Sequence, residues 1–123
     1  MERVQSMIEL TILALLFSKH FLIDFPLQTP YQYTNKGKYG HLGGLLHSGL
    51  HGLGTLIIFS FFTPLAYLFA LADFLIHYHI DWAKVNINNH YGWKPTTHNA
   101  FWILLGLDQY LHAMTYIIMV ILL

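Results

Sequence analysis

Histidine and aspartate recur in this sequence four residues apart. The chain contains nine histidines in 123 residues, and random placement would give about one His/Asp pair at this spacing. Residues i and i+4 lie on one face of a helix, so each pair can present two polar groups side by side. The sequence has five such pairs: His20/Asp24, His47/His51, Asp73/His77, His77/Asp81 and Asp108/His112.

These residue types point to metal binding. Neutral imidazole and carboxylate groups are good ligands for divalent transition metals. Zinc is the expected ion, with manganese or iron as alternatives. The set exceeds what one ion needs, so it suits two ions, or one ion with a full shell of supporting groups. A hydrogen-bonded His/Asp network that only ties the helices together is the alternative interpretation. The predicted metal ligands are His20, Asp24, His47, His51, His77, Asp81, Asp108 and His112.

Three residues are candidates for catalysis. Asp24 or Asp73 could act as a base toward a metal-bound water. Lys84 lies one turn beyond Asp81 and could hold the anionic group of a substrate or extend to lipid headgroups. His79 follows His77 by two residues, which is about 200° around the helix at about 100° per residue. Its side chain is therefore expected to face away from the paired residues.

Four apolar blocks carry the pairs. The chain is 55% hydrophobic and 10% charged, whereas a typical soluble domain is about 25% charged. Because roughly 20 apolar residues span hydrocarbon, we predict membrane helices over about 7–25, 45–62, 64–84 and 99–122. Ser6 and Glu9 have the spacing of a capping box that would begin the first helix. The prediction is an all-α protein, a single transmembrane domain over 1–123 folded as an up-down four-helix bundle. A soluble bundle is disfavoured because no block shows a polar outer face.

The basic residues predict an orientation. Lys36, Lys38, Lys84 and Lys94 lie in or beside the two long connections, and only Arg3 lies at the other end. Loops rich in Lys and Arg stay in the cytoplasm, so both termini are predicted to lie outside it. In that topology one pair from each helix, His77/Asp81 in the third, falls in the cytoplasmic half of the bundle, which predicts one shared polar centre there.

Charge and cysteine content limit the partners. The formal net charge is +0, so no general electrostatic attraction to nucleic acid is expected. Cysteine is absent, which excludes disulfides and thiolate metal sites. The expected partners are the lipid bilayer and a lipid or phosphoester substrate. The sequence also allows a homo-oligomer.

The order of the motifs resembles that of a known family. HFLIDFPLQ reads HxxxDxxxQ, HSGLH reads HxxxH, HYHIDWAK reads HxxxDxxK and DQYLH reads DQxxH. Over His20 to His112 this order resembles an uncharacterised family of small bacterial and phage membrane proteins, catalogued as domain of unknown function 3307. The resemblance implies a bacterial or phage-encoded protein in a bacterial inner membrane. The HxxxD pairs are more loosely similar to those of membrane-bound metal-dependent hydrolases.

Four functions fit these observations. The favoured one is a membrane-embedded, metal-dependent hydrolase of a phosphoester or lipid-like substrate. A His-rich di-metal membrane oxidoreductase is an alternative, although the HxxHH boxes expected of it are missing. A metal transporter would need exchangeable coordination, which a centre built on four helices does not suit. A non-enzymatic phage or bacterial membrane scaffold with a His/Asp polar core is the fourth.

Overall fold

The computed structural model of the protein describes all 123 residues. It contains five helices and no strand, which confirms the all-α prediction. A four-residue helix in the first long connection was not predicted. The helices are α1 (Glu2–Asp24), α2 (Pro30–Tyr33), α3 (Leu42–Ser60), α4 (Ala66–Tyr91) and α5 (Asn99–Ile121).

Helices α1 and α4 extend at least five residues beyond their apolar blocks, and α3 begins three residues before its block. Helix α1 begins at Glu2, and the hydroxyl of Ser6 donates to the carbonyl oxygen of Glu2 at 2.9 Å within the helix. The predicted capping box is therefore wrong, because Ser6 is already inside a helical turn. Helix α4 continues to Tyr91 and ends at Gly92, whose φ of 64° is in the left-handed region that favours glycine.

The four long helices form a closed ring. Helix α1 contacts α3 and α5, and α4 contacts the same two helices. Between neighbouring helices, residues that come later in one helix contact residues that come earlier in the other, so the neighbours are antiparallel. The backbones of α3 and α4 approach closely at Gly52, where an added Cβ would lie 3.1 Å from the carbonyl oxygen of Ala70. The pair-bearing parts of all four helices therefore meet toward one end of the bundle.

The interior of the bundle has an apolar half and a polar half. Near the α3–α4 turn, an apolar cluster fills the space between the helices. Toward the long connections, the buried side chains are mainly polar or charged, and they outnumber the buried apolar ones in the whole protein. Large apolar side chains instead cover the exterior of every long helix. The apolar cluster consists of Ile12, Leu16, Phe59, Ala66, Tyr116, Met119 and Val120.

Helices α1, α3 and α5 are long and apolar enough to cross a membrane, by length and composition. Helix α4 is not among them although it has 26 residues. It carries Asp73, His77 and Asp81, all buried, which lower its hydropathy and face the interior. Of the four predicted membrane spans, three therefore have the length and composition of a span.

Candidate metal centre

All four long helices bring polar side chains to one buried cluster, as the sequence predicts. The i, i+4 spacing places both members of each pair on the inner face of its helix. Each of these side chains belongs to a residue that is at most 8% exposed. The cluster contains His20 and Asp24 from α1, His47 and His51 from α3, His77 and Asp81 from α4, and Asp108 and His112 from α5.

The first potential ligand group gathers around one oxygen of Asp24. Its Oδ1 lies 3.0 Å from Nε2 of His47, 2.8 Å from Nε2 of His51 and 3.8 Å from Nε2 of His77. One ligand atom from each of these four residues lies within 4.8 Å of all the others. Tetrahedral zinc, with ligands at about 2.0–2.1 Å, places neighbouring ligand atoms about 3.3 Å apart. The observed separations bracket that value.

A second group shares His77 with the first. It contains His77, Asp81 and His112, again with ligand atoms within 4.8 Å of one another. Oδ2 of Asp81 lies 3.3 Å from Nε2 of His77, and Oδ1 lies 3.1 Å from Nε2 of His112. Oδ2 of Asp81 also lies 3.4 Å from Nε2 of His47, which belongs to the first group. Asp81 therefore turns one oxygen toward the first group and the other toward His112, so its carboxylate could serve ions at both.

Several buried atoms in this cluster have no hydrogen-bond partner. They are Nε2 of His47, Nδ1 of His51, both ring nitrogens of His77, Oδ2 of Asp81 and Oδ1 of Asp108. Of these, Oδ2 of Asp81 has a cation beside it, since Nζ of Lys36 lies 3.0 Å away. Nε2 of His47 lies 3.0 Å from a carboxylate oxygen of Asp24, yet the contact lacks hydrogen-bond geometry. Leaving such a group unsatisfied costs about 1–3 kcal/mol. Because these atoms converge, a bound cation could satisfy several of them together.

The predicted base Asp73 lies outside both groups. Its Oδ2 is 2.6 Å from Nζ of Lys19 and accepts a hydrogen bond from the hydroxyl of Thr55. Lys19 also donates to the carbonyl oxygen of His51 at 3.3 Å and lies over the ring of Tyr116. Asp73 is therefore paired with a cation from α1. Of the two predicted bases, only Asp24 faces the cluster.

A family model described as a protein of unknown function (DUF3307) matches residues 12–123. The match contains every residue of the buried cluster. The chain belongs to this family. The resemblance drawn from the order of its motifs is therefore confirmed. No curated protein and no solved structure matches the chain, so the looser similarity to hydrolases gains no support from known proteins.

In this DUF3307 chain, His20 lies outside the two potential ligand groups and contacts Asp24. Its Nε2 lies 3.0 Å from Oδ2 of Asp24, whereas the other histidines approach Oδ1. The ring also contacts the hydroxyl of Tyr116 through Nδ1 and the amide oxygen of Gln109 through Nε2, both at 2.9 Å. With both nitrogens engaged, His20 is placed to fix the orientation of the Asp24 carboxylate.

Two buried residues from the α1–α3 connection complete the cluster, and no sequence pattern marked them. The amide oxygen of Gln32, in α2, lies 3.2 Å from Nδ1 of His47, which leaves Nε2 of that ring to face the cluster. Nζ of Lys36 lies 3.0 Å from Oδ2 of Asp81. The sequence placed Lys36 in a cytoplasmic loop as a marker of orientation, but this residue is only 7% exposed. Helical periodicity cannot predict residues that enter from a connection.

Asp108 and Lys84 form the outer edge of the cluster. Oδ1 of Asp108 is 3.4 Å from Nε2 of His112, and Oδ2 is 3.4 Å from Nζ of Lys84. His79 faces away, as its helical position predicts, because it is exposed and its ring contacts the hydroxyl of Tyr39.

Proposed function

We propose that this protein is a membrane-embedded, metal-dependent hydrolase that acts on a phosphoester or lipid-like substrate. The observation that supports it most is that ring nitrogens of His47 and His77 without a hydrogen-bond partner converge on the carboxylates of Asp24 and Asp81. Zinc is the favoured ion, since the donors are imidazole and carboxylate groups at separations that suit tetrahedral coordination. Manganese and iron accept the same donors.

The proposal places all four long helices across a bacterial inner membrane, with both termini outside the cytoplasm. Apolar side chains cover the exterior of α1, α3 and α5, which are long enough to span. Helix α4 completes the ring and turns its buried polar side chains inward. The two connections that carry Lys38 and Lys94 leave the same end of the bundle, which supports a cytoplasmic location for both.

The residues around the centre suit hydrolysis. A bound divalent ion would acidify a coordinated water and make it a nucleophile at neutral pH. In hydrolysis the water oxygen attacks phosphorus or the carbonyl carbon, and the ester oxygen leaves with a proton. Asp24 is placed to take the proton of the attacking water. Lys36 is held 3.0 Å from Asp81 and could stabilise the negative charge that develops on the substrate oxygens.

The hydrogen bonds of the cluster favour one other candidate, a scaffold with a purely structural polar core. Nε2 of His51 and Oδ1 of Asp24 are 2.8 Å apart, and Nε2 of His112 and Oδ1 of Asp81 are 3.1 Å apart. Such a network ties the helices to one another without any metal. It leaves the two ring nitrogens of His77 unexplained, so we rank it second.

Elemental analysis tests the metal directly. Protein purified in detergent without chelator should contain at least one divalent ion per chain, and a His47→Ala/His77→Ala variant should contain far less. The same preparation should hydrolyse a chromogenic phosphodiester, with activity lost in EDTA and restored by zinc. A folded protein that takes up no ion from solutions of zinc, manganese or iron would support the scaffold instead.

A further inference from the structure

Two cavities on the outer side of α4 and α5 meet at Lys84. The larger has a volume of about 490 Å³ and a mostly apolar lining that includes Leu75, Ile80 and Leu107. The smaller has a volume of about 150 Å³, and its lining includes Asn88. Lys84 lines both cavities. Together they form a cleft with an apolar part and a polar end.

The apolar part has the dimensions of a lipid chain site. Along α4 its lining extends from Leu75 to Ile87, a distance of about 18 Å at 1.5 Å per residue. Leu75 is 46% and Leu107 is 50% exposed, so this part opens on the apolar exterior. An alkyl chain could enter it sideways from surrounding lipid.

The polar end has unused hydrogen-bonding capacity. Nζ of Lys84 makes one contact, with Oδ2 of Asp108 at 3.4 Å, although an ammonium group carries three donors. The side-chain amide of Asn88 donates to the carbonyl oxygen of Trp93, but its buried Oδ1 has no partner. Asp108 also lines the larger cavity beside Lys84. This end therefore offers the remaining donors of an ammonium group that is paired at 3.4 Å with one carboxylate, together with a hydrogen-bond acceptor.

We propose that the cleft binds a glycerophospholipid with an anionic phosphate and a hydroxyl-bearing headgroup. An acyl chain occupies the larger cavity, the phosphate contacts Lys84, and a headgroup hydroxyl donates to Oδ1 of Asn88. Asp108 lies between Lys84 and His112, at 3.4 Å from each. The phosphate is thereby held one carboxylate away from the candidate metal centre. This deepens the proposed function and rests on it, because only a working metal centre makes the bound lipid a substrate.

A neighbouring groove provides an internal control. It has a volume of about 310 Å³ and lies between the same two helices, with Ala72 and Met119 in its lining. No charged residue lines it. It should therefore accept lipid chains without discriminating between headgroups, unlike the cleft at Lys84.

Native mass spectrometry of the protein in detergent tests the cleft. Phosphatidylglycerol and phosphatidylcholine with identical oleoyl chains serve as probes, since only the first has headgroup hydroxyls and a net negative charge. Wild-type protein should prefer phosphatidylglycerol roughly tenfold, equivalent to about 1.4 kcal/mol. Lys84→Gln should abolish this preference and Lys84→Arg should restore it. Ala83→Trp, which fills the larger cavity, should lower binding of both lipids.

Two matched controls complete the test. Lys94→Gln removes a charge outside both cavities, and Ala72→Trp fills the uncharged groove; both should keep the wild-type preference. A wild-type protein without preference, or a Lys84→Gln variant that retains it, overturns the proposal. Metal content measured on the same samples separates the two proposals. Lipid preference without metal overturns the hydrolase proposal and supports the lipid cleft. Metal without lipid preference supports the hydrolase proposal and overturns the lipid cleft.

Discussion

Among the single residues, His77 occupies the least satisfied position in the protein. It is 1% exposed, and neither ring nitrogen has a hydrogen-bond partner. Its ring stacks between His51 and His112, with centroids 3.6 Å and 4.0 Å away. A purely structural core would gain more from an apolar side chain here. The position is explained if the ring binds an ion.

We expect His77→Ala to lower metal content and melting temperature together. Removing a ligand weakens binding, and an ion at 100 times its Kd stabilises the folded state by about 2.7 kcal/mol. His79→Ala is the matched control, because His79 is exposed on the same helix and should leave both quantities unchanged. Elemental analysis and thermal unfolding of the purified variants measure the effect. Loss of metal in His79→Ala but not in His77→Ala would contradict the assignment.

The ion pair of Lys19 and Asp73 predicts a different pattern. Lys19→Met leaves a buried carboxylate without its cation and should destabilise the fold by about 3–5 kcal/mol. The double variant Lys19→Met/Asp73→Leu should recover most of that loss, since no charge remains unpaired. Metal content should be unchanged in the double variant because neither residue is in a ligand group. A double-mutant cycle by chemical denaturation measures the coupling, and additive effects would show that the pair is not energetically linked.

Among the helices, the short α2 supports the centre by packing on the start of α3. A Cβ at Gly43 would overlap the carbonyl oxygen of Tyr31, so the two helices meet through a position that has no side chain. This close approach brings Gln32 to His47. The chain that follows α2 then carries Lys36 to Asp81.

Gly43→Ala should therefore push α2 away and weaken the centre from a distance. We expect a lower melting temperature and weaker metal binding, because Gln32 would no longer hold the ring of His47. Gly49→Ala is the control on the same helix, since an added Cβ there meets nothing within 4 Å. It should be neutral, or stabilising by up to about 1 kcal/mol from helix propensity. Metal titration and thermal unfolding of the two variants compare them, and equal behaviour would argue against the role of α2.

In the molecule as a whole, the distribution of polarity is the reverse of that in a soluble protein. Apolar side chains cover the outside, and polar or charged ones fill half of the inside. In water such an exterior would cause aggregation, whereas in lipid it is favourable. The buried polar cluster then gains from the exclusion of water, which strengthens its electrostatic interactions.

The orientation can be measured by cysteine labelling, since the chain has no cysteine of its own. Lys38→Cys and Lys94→Cys are exposed positions on the two long connections and should react only when a membrane-impermeant reagent reaches the cytoplasmic side. Gln5→Cys, exposed at the other end of the bundle, should react in intact cells. Lys36 is unsuitable because it is buried. Labelling of Lys38→Cys or Lys94→Cys from outside in intact cells would contradict the predicted orientation.

Features that depend on neighbours along one helix could be predicted from the sequence. The lengths of the apolar blocks predicted the long helices, and the four-residue spacing predicted which histidines and aspartates share an inner face. The order of the motifs predicted the family. These predictions were possible because the α-helix has a fixed period, so the side chains that share a face follow from sequence separation alone.

Contacts between groups on different helices became known only from the folded chain. The same spacing that pairs Asp73 with His77 on α4 could not show that Lys19, 54 positions away, binds the Asp73 carboxylate. It also could not show that Lys36 leaves its loop to contact Asp81. Such contacts depend on the rotation and depth at which each helix packs and on the path of its connections. Those are set by the fit of all the side chains together, which no local period encodes.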